Sequence, residues 1–219
     1  MLSSRVVAVQ VGRDKVKWSL HENLISETCD FFKVAFRGEF KEKAGELELP
    51  DDDPAAFELF IRWLYAKRAS LATSSPFLPI NGPADVRQYL QLYVLAAKYL
   101  IGDLQNEVID IVYDYFAPEG EPYPDLRDVQ FLFENTGSND AMRKLLTVHA
   151  SFELFSAQVA EGKEFPDHWD EVLQMSADVG YEIIRTISTF GWKMEDCPKR
   201  TVKDRCHFHS HEDSEKCVK

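Results

Sequence analysis

The side chains of this chain that are best suited to bind a metal ion lie close to its C-terminus. Cys206 and His209 are separated by two residues, His211 follows, and Cys217 comes shortly before the end. Zinc takes four nitrogen or sulfur ligands in a tetrahedron, and a Cys-x-x-His pair has an acceptable spacing for two of them. A zinc site formed by these four residues is one interpretation of the pattern. The alternative is a charged tail whose thiols and imidazoles bind no metal.

Motifs that would indicate catalysis are missing from the sequence. It contains no G-x-S-x-G nucleophile motif, no G-x-G-x-x-G loop and no P-loop lysine. The pair His21-Glu22 does not continue into a zinc-protease helix, because Ile25 stands where the second histidine would be. The aspartates at 51–53 directly precede Pro54, and capping of a helix explains that run. We therefore expect that the protein is not an enzyme.

The length and composition predict a globular chain with no membrane partner. The 219 residues are 45% hydrophobic and 28% charged, which suits one domain with an extension. No apolar stretch reaches the roughly 18 residues that a membrane span needs. The N-terminal residues lack the charged, apolar and small-residue regions of a signal peptide. The expected location is therefore the cytoplasm, the nucleus or both.

Charge and cysteine placement exclude two further classes of protein. The formal net charge is −12, and an acidic surface is repelled by phosphate backbones. We therefore expect no nucleic-acid partner. One cysteine lies near the start and three lie near the end. This is not the framework of a disulfide-stapled secreted domain, and it is typical of a reduced intracellular protein.

In the first half of the chain, the residue patterns predict strands followed by helices. Two β-branched or alternating runs around residues 12–14 predict a hairpin, and the alternation at 46–49 predicts a third strand. Ser19 and Glu22 have the spacing of a capping box, which predicts a helix start. Aromatic residues at 31, 32 and 36 recur at helical spacing. Longer helices are predicted from Pro54 to about Lys67, from about Asp85 to Leu100, and, after a break at Gly102, from Leu104 to about Tyr115.

From residue 118 onward the pattern is helical. The sequence predicts four short helical faces: Val129, Leu132 and Phe133; Met142, Leu145, Leu146 and His149; Trp169, Val172, Leu173 and Ser176; Ile183, Ile184 and Ile187. Strands first and helices afterwards indicate an α+β fold with an all-helical C-terminal extension. We predict a first domain over residues 1–117, a helical extension over 118–190, and a Cys/His-rich flexible tail over 191–219.

Several ordered blocks of the sequence carry a family resemblance. The segment Trp18–Ile25, followed by Cys29–Phe32, resembles the opening of BTB/POZ domains, and Phe57–Tyr65 and Leu92–Tyr99 match later blocks. Residues 133–146 resemble the stand-alone BTB proteins of filamentous fungi. The resemblance implies the BTB/POZ fold, a small sheet flanked by helical hairpins. It also implies protein partners and homodimerisation. The sequence departs from the family pattern by having glutamate at 22 and cysteine at 29.

The same resemblance implies a specific partner-binding motif. In BTB adaptors of cullin-RING ubiquitin ligases, a hydrophobic-x-Glu motif follows the second helix and contacts the cullin. Phe40-Lys41-Glu42 matches it, with an aromatic anchor for a pocket and a carboxylate for a basic partner. An alternative role for Phe40 is to close the small domain core. An alternative function for the chain is a homo- or hetero-oligomerising scaffold with no connection to a ligase.

Overall fold

The computed structural model describes residues 5–38, 45–68, 77, 79–117, 122–161, 170, 174, 176–189 and 205–210. In chain order these contain β1 (Val6–Val11), β2 (Val16–His21), α1 (Glu22–Ser26), α2 (Asp30–Arg37), β3 (Glu46–Leu49), α3 (Pro54–Arg68), α4 (Pro83–Lys98), α5 (Gly102–Phe116), α6 (Leu126–Asn135), α7 (Ala141–Glu161), α8 (Ala177–Thr189) and a 3-10 turn (Arg205–Phe208). The three strands lie in the first 49 residues and, in the described part of the chain, only helices follow them, which confirms the predicted α+β fold class.

The chain divides into two compact units, residues 1–108 and 109–219, called here the N-terminal and C-terminal units. The division falls within α5. Residue 118 and residues 190–204, where the predicted domain boundaries fall, lie outside the described residues.

The N-terminal unit is built on a three-stranded sheet with the order β2-β1-β3. β1 pairs antiparallel with β2, which confirms the predicted hairpin, and parallel with β3. Alternate residues of β1 and β3 point into the core: Val7, Val9, Val11, Leu47 and Leu49 are all buried. Burial of each such side chain contributes roughly 1.5–3 kcal/mol, so this one face holds the sheet to the helices.

A cluster of aromatic rings fills the space between the sheet and the helices. Phe60 of α3 lies at its centre, 5.9 Å from the ring of Phe32 and 5.5 Å from that of Phe57. Trp63 is 6.3 Å from Phe60, and its indole N–H donates to Glu107 Oε1 at 2.9 Å. Ring pairs at these separations contribute about 0.5–1.5 kcal/mol beyond the area they bury. The cluster fixes α2 and α3 against each other and joins α3 to α5.

The starts of two helices show one correct and one wrong prediction of capping. At α3 the prediction is confirmed, because Pro54 opens the helix and Asp53 Oδ1 accepts from the Ala56 N–H at 2.9 Å. The prediction that Ser19 and Glu22 form a capping box is wrong. Ser19 lies in β2, opposite Ala8, and among the described residues the N-cap of α1 makes no side-chain capping bond. Strand pairing with β1 therefore overrides the local capping signal.

Glutamate at position 22, where the family pattern has lysine, is accommodated by two arginines. Glu22 is buried, and its carboxylate accepts from Arg37 Nε at 3.0 Å and lies 3.5 Å from Arg5 Nη1. A buried carboxylate needs such charged donors to offset its lost hydration. The ion pairs tie the start of α1 to the end of α2.

The C-terminal unit packs the later helices around a second apolar core. Its buried residues include Val129, Leu132, Met142, Leu145, Leu146, His149, Ile183 and Ile187 of the predicted faces, and also Val179. Phe133, predicted to lie on the first of these faces, is only half-buried. Ile184 departs from its predicted face and is 58% exposed, because consecutive helical residues point about 100° apart. Of the predicted face with Trp169, Val172, Leu173 and Ser176, only Ser176 is described, and it is half-buried.

None of the helices in the described part of the chain combines the length and the apolar character needed to cross a membrane.

Gly12 supplies the first testable consequence of this packing. Its φ is +76°, and a Cβ placed there would lie 2.9 Å from Pro54 Cγ. We expect Gly12→Ala to lower the free energy of unfolding by about 2 kcal/mol, since it adds left-handed strain and a contact with a rigid ring. Urea denaturation measures the change.

Gly102→Ala is the matched control. No described heavy atom lies within 4 Å of a Cβ added at Gly102, which is the first residue of α5. This variant should be neutral or more stable by up to about 1 kcal/mol. Equal losses in both variants would contradict the assignment of strain to Gly12.

Candidate interaction surface

A groove of about 600 Å³ opens on the N-terminal unit beside α2. One wall is formed by the end of α1 and by α2, and the other by Lys98 at the end of α4 with Tyr99 and Leu100 after it. The lining combines apolar rings, hydroxyls and charged side chains. Its volume lies within the range of about 300–1,000 Å³ that is typical of ligand pockets. We call it the α2–Leu100 groove.

Leu100 occupies an unusual position on the rim of this groove. Its φ is +57°, and the side chain is 88% exposed. The Ile101 N–H donates to the Ala96 carbonyl, and the Leu100 N–H donates to the Ala97 carbonyl. This is the Schellman arrangement, in which glycine usually occupies the left-handed position. A leucine there costs backbone strain and exposes a large apolar side chain, and strain of this kind concentrates at functional sites.

Phe31 adds a second exposed apolar side chain to the groove. It is 44% exposed, and its ring lies 4.8 Å from Tyr99 and 5.1 Å from Phe32. Val34, one turn further along α2, is also half exposed. Phe32, by contrast, is fully buried in the aromatic cluster. One face of α2 thus holds the core while another presents apolar side chains to solvent.

A buried carboxylate positions the far wall of the groove. Asp52 Oδ1 and Oδ2 accept from Lys98 Nζ at 2.9 and 3.0 Å, and Oδ2 accepts from the Tyr99 hydroxyl at 2.5 Å. Burial raises the pKa of Tyr99, and the hydrogen bond to Asp52 raises it further. The hydroxyl therefore stays protonated and keeps donating to Asp52. The end of α4, and with it Leu100, is held to the loop that precedes α3.

Cys29 lies in the groove, but its chemistry is that of a neutral thiol. It is the N-cap of α2 and makes no side-chain capping bond among the described residues. Burial raises the pKa of Cys29, and Asp30 adds to the rise, while the N–H groups of Phe32 and Phe31 oppose it. A thiol with a raised pKa is a poor nucleophile at neutral pH. We therefore interpret the groove as a surface that binds a partner and not as a site where Cys29 acts as a nucleophile.

In the sequence, the predicted partner motif Phe40-Lys41-Glu42 follows α2, which forms one wall of this groove. Phe40 and Glu42 are outside the described residues. The described chain stops at Gly38, whose N–H donates to the Val34 carbonyl at 2.8 Å, and resumes at Gly45, whose carbonyl accepts from the Ala8 N–H. In the sequence, the motif begins two residues after Gly38, the C-cap of the helix that carries Phe31. Its role in binding stays a prediction.

Two of the four predicted zinc ligands can be described. His209 is 5% exposed in its side chain, and its Nε2 lies 2.9 Å from Asp110 Oδ1. Cys206 is partly buried in the adjoining 3-10 turn, whereas His211 and Cys217 are outside the described residues. In the described ranges, no three His, Cys, Asp or Glu side chains are grouped to hold a metal ion. The four-residue zinc site stays a prediction.

The described part of the tail is anchored through an aromatic residue. Phe208 is buried in the C-terminal unit, and its ring lies 6.1 Å from that of Tyr113. Together with the contact between His209 and Asp110, this places residues 205–210 against the last turns of α5. Within the predicted tail, this short segment is therefore packed against the unit.

Sequence reasoning missed Leu100 and the exposure of Phe31. Phe31 and Phe32 are adjacent, and one helix face cannot bury both, so the pair itself was a signal of exposure. Leu100 carried no such signal. Its left-handed backbone follows from where α4 ends, and the apolar pattern extended that helix two residues beyond its observed end at Lys98.

Comparison with known proteins supports the resemblance over the N-terminal unit. Residues 6–112 match the family model of the BTB/POZ domain. A search of curated proteins finds no match to the chain.

The raised pKa of Tyr99 predicts a loss of stability in alkali. Its folded pKa lies above the unfolded value of about 10, so its contribution is complete below pH 10 and falls as the pH rises further. We expect Tyr99→Phe to be less stable than the wild type by about 1 kcal/mol at pH 8. The difference should shrink by up to about 1.4 kcal/mol per pH unit above 10, as measured by urea denaturation.

Tyr181→Phe is the control for this pH dependence, since Tyr181 is an exposed tyrosine of the C-terminal unit. Its stability difference from the wild type should not change over the same pH range. Parallel curves for Tyr99→Phe and the wild type would contradict the assigned role of the Tyr99 hydroxyl.

Replacing Leu100 should stabilise the protein. Leu100→Gly removes the left-handed strain and loses almost no buried area, so we expect a gain of about 1 kcal/mol in the free energy of unfolding. Leu100→Ala keeps a Cβ and should gain little. The two urea midpoints test this difference, and a glycine variant that is less stable than the wild type would overturn it.

Proposed function

We propose that this chain, whose residues 6–112 match the BTB/POZ domain, a protein–protein interaction module, is an adaptor that docks on the cullin of a ubiquitin ligase. The observation that carries the proposal is Leu100, a leucine kept exposed in a strained backbone position beside a groove. Neither the left-handed backbone of Leu100 nor the exposure of its side chain stabilises the N-terminal unit. Both are explained by a protein partner that covers them.

The energy available at the α2–Leu100 groove is adequate for specific binding. Complete burial of a leucine or phenylalanine side chain contributes roughly 1.5–3 kcal/mol, and a few such anchors dominate most interfaces. Leu100 and Phe31 are such anchors on opposite walls of the groove. The hydrogen bonds of Asp52 hold Lys98 and Tyr99 in one conformation. Little conformational entropy is therefore lost when a partner binds to the groove.

The motif Phe40-Lys41-Glu42 extends the proposed interface along the chain. In the sequence it begins two residues after Gly38, the C-cap of α2. In this proposal Phe40 enters a pocket of the cullin and Glu42 pairs with a basic side chain. The C-terminal unit or its tail then presents a client for ubiquitin transfer, in the cytoplasm or the nucleus of a filamentous fungus.

The test is calorimetric titration of the full chain with a fungal cullin N-terminal region. We expect a Kd in the micromolar range or tighter. Phe40→Ala, Glu42→Lys and Leu100→Gly should each weaken binding about tenfold or more, which corresponds to about 1.4 kcal/mol. Leu100→Gly is the most informative variant, because it is expected to bind less well while folding more stably.

Ile184→Ala is the control, since it removes an exposed aliphatic side chain from the C-terminal unit. It should bind like the wild type. The melting temperature of Phe40→Ala separates its two possible roles, because a core phenylalanine costs about 3–5 kcal/mol when truncated and an exposed anchor costs little.

Absence of binding by a well-folded wild type would refute the adaptor role. A concentration-dependent dimer in light scattering would then support the homo- or hetero-oligomerising scaffold.

A further inference from the structure

We propose that the C-terminal unit carries a binding site for a phosphate group, independent of the BTB/POZ domain. The site is a cavity of about 300 Å³ bordered by the start of α7, by α8 and by the 3-10 turn at 205–208. This volume is at the lower end for ligand pockets, about 300–1,000 Å³, and suits a small polar group. The inference rests on the charges and donors that line it.

Two cations of the first turn of α7, Arg143 and Lys144, line the cavity. Within the part of the chain that the structure describes, neither forms an ion pair. This is unusual in a chain with a net charge of −12. Most of the other cations in the described ranges are paired with carboxylates, as in the pairs Lys15–Glu48 and Arg62–Glu58, whereas Arg13 and Arg127 form no ion pair there. Cations at a helix N-terminus also oppose the helix dipole, so a bound anion would relieve two unfavourable interactions at once.

Arg143 is held ready to bind an anion. Its guanidinium carbon lies 3.4 Å from the centre of the Phe133 ring, and its backbone N–H donates to Asp140 Oδ1 at 3.0 Å. Stacking occupies the face of the guanidinium but leaves its edges, where the N–H donors are. A planar fork fixed in this way can donate two parallel hydrogen bonds to a phosphate.

The other walls supply donors from different directions. Ser138 precedes α7, Thr186 lies on α8, and His207 belongs to the 3-10 turn. A phosphate has tetrahedrally arranged oxygens and accepts hydrogen bonds on each side. One carboxylate, Glu182, also lines the cavity, and it is engaged by Arg185 Nη1 at 3.4 Å.

Phosphate is favoured over a carboxylate by the charge of the lining. A phosphate monoester carries a charge of about −1.5 to −2 near neutral pH and presents three strong acceptor oxygens. Two unpaired cations match that charge, whereas a carboxylate would leave one of them uncompensated. The phosphate is either free or carried by a phosphorylated side chain of a partner, and these sources share the chemistry of the site.

Thermal unfolding of the full chain tests the proposal, with added inorganic phosphate or a phosphoserine peptide at an ionic strength held constant with chloride. We expect a saturable rise in melting temperature with at least one of the two. Lys144→Gln and Arg143→Gln should weaken the apparent affinity tenfold or more. Lys144 is exposed, so its variant tests the site even if Arg143→Gln folds poorly.

Arg127→Gln is the matched control. Arg127 is an exposed arginine in the first turn of α6, after an aspartate N-cap like that of α7, but it lies outside the cavity. It should bind phosphate like the wild type. Equal weakening in all three variants, or no saturable shift in the wild type, would overturn the site.

The two probes assign the source of the phosphate. Tighter binding of the phosphoserine peptide than of its unphosphorylated form and of inorganic phosphate supports a phosphorylated partner. Equal affinities for the peptide and for inorganic phosphate support a free phosphate ligand at the same site.

Discussion

A buried carboxylate, Asp52, receives hydrogen bonds from the ammonium group of Lys98 and the hydroxyl of Tyr99. The residues that meet here are more than 40 positions apart in the sequence, so the contact joins the loop before α3 to the end of α4. Loss of one partner would leave a polar group buried without compensation, which is costly inside a protein. Leu100 directly follows Tyr99, so its position depends on the hydrogen bonds that Lys98 and Tyr99 donate to Asp52.

The groove therefore owes its shape to a polar contact and its chemistry to apolar side chains. Phe31 lies against Tyr99, so the same tyrosine that binds Asp52 also forms the wall on which the phenylalanine rests. In the α2–Leu100 groove, the hydrogen bonds of Asp52 hold the wall in place, and the exposed apolar side chains offer surface that a partner could bury. Such pre-organisation reduces the entropy lost when a partner binds.

Periodicity predicted most of the fold, because the burial that stabilises each element leaves a regular pattern. The hairpin, the strand at 46–49 and α3 with its Asp53 cap all followed from local residue types. The failures have a common physical origin. Ser19 belongs to a strand because of pairing with β1, and Ile184 is exposed because of how α8 is rotated on its neighbours. These outcomes are set by tertiary contacts, which no local pattern contains. The left-handed backbone of Leu100 is a further case, since it depends on where α4 stops.

The parallel pairing of β1 with β3 imposes an order on the assembly of the N-terminal unit. β1 and β2 are joined by a four-residue turn and can pair within microseconds, as hairpins do. β3 reaches the other edge of β1 only after the intervening chain, with α1 and α2, has closed. Closing this longer loop costs about 2 kcal/mol more in chain entropy than the hairpin turn. Until β3 pairs with β1, one edge of β1 is unpaired. An extended segment of another chain can pair with this edge, so the molecule is most prone to aggregation at this stage of folding.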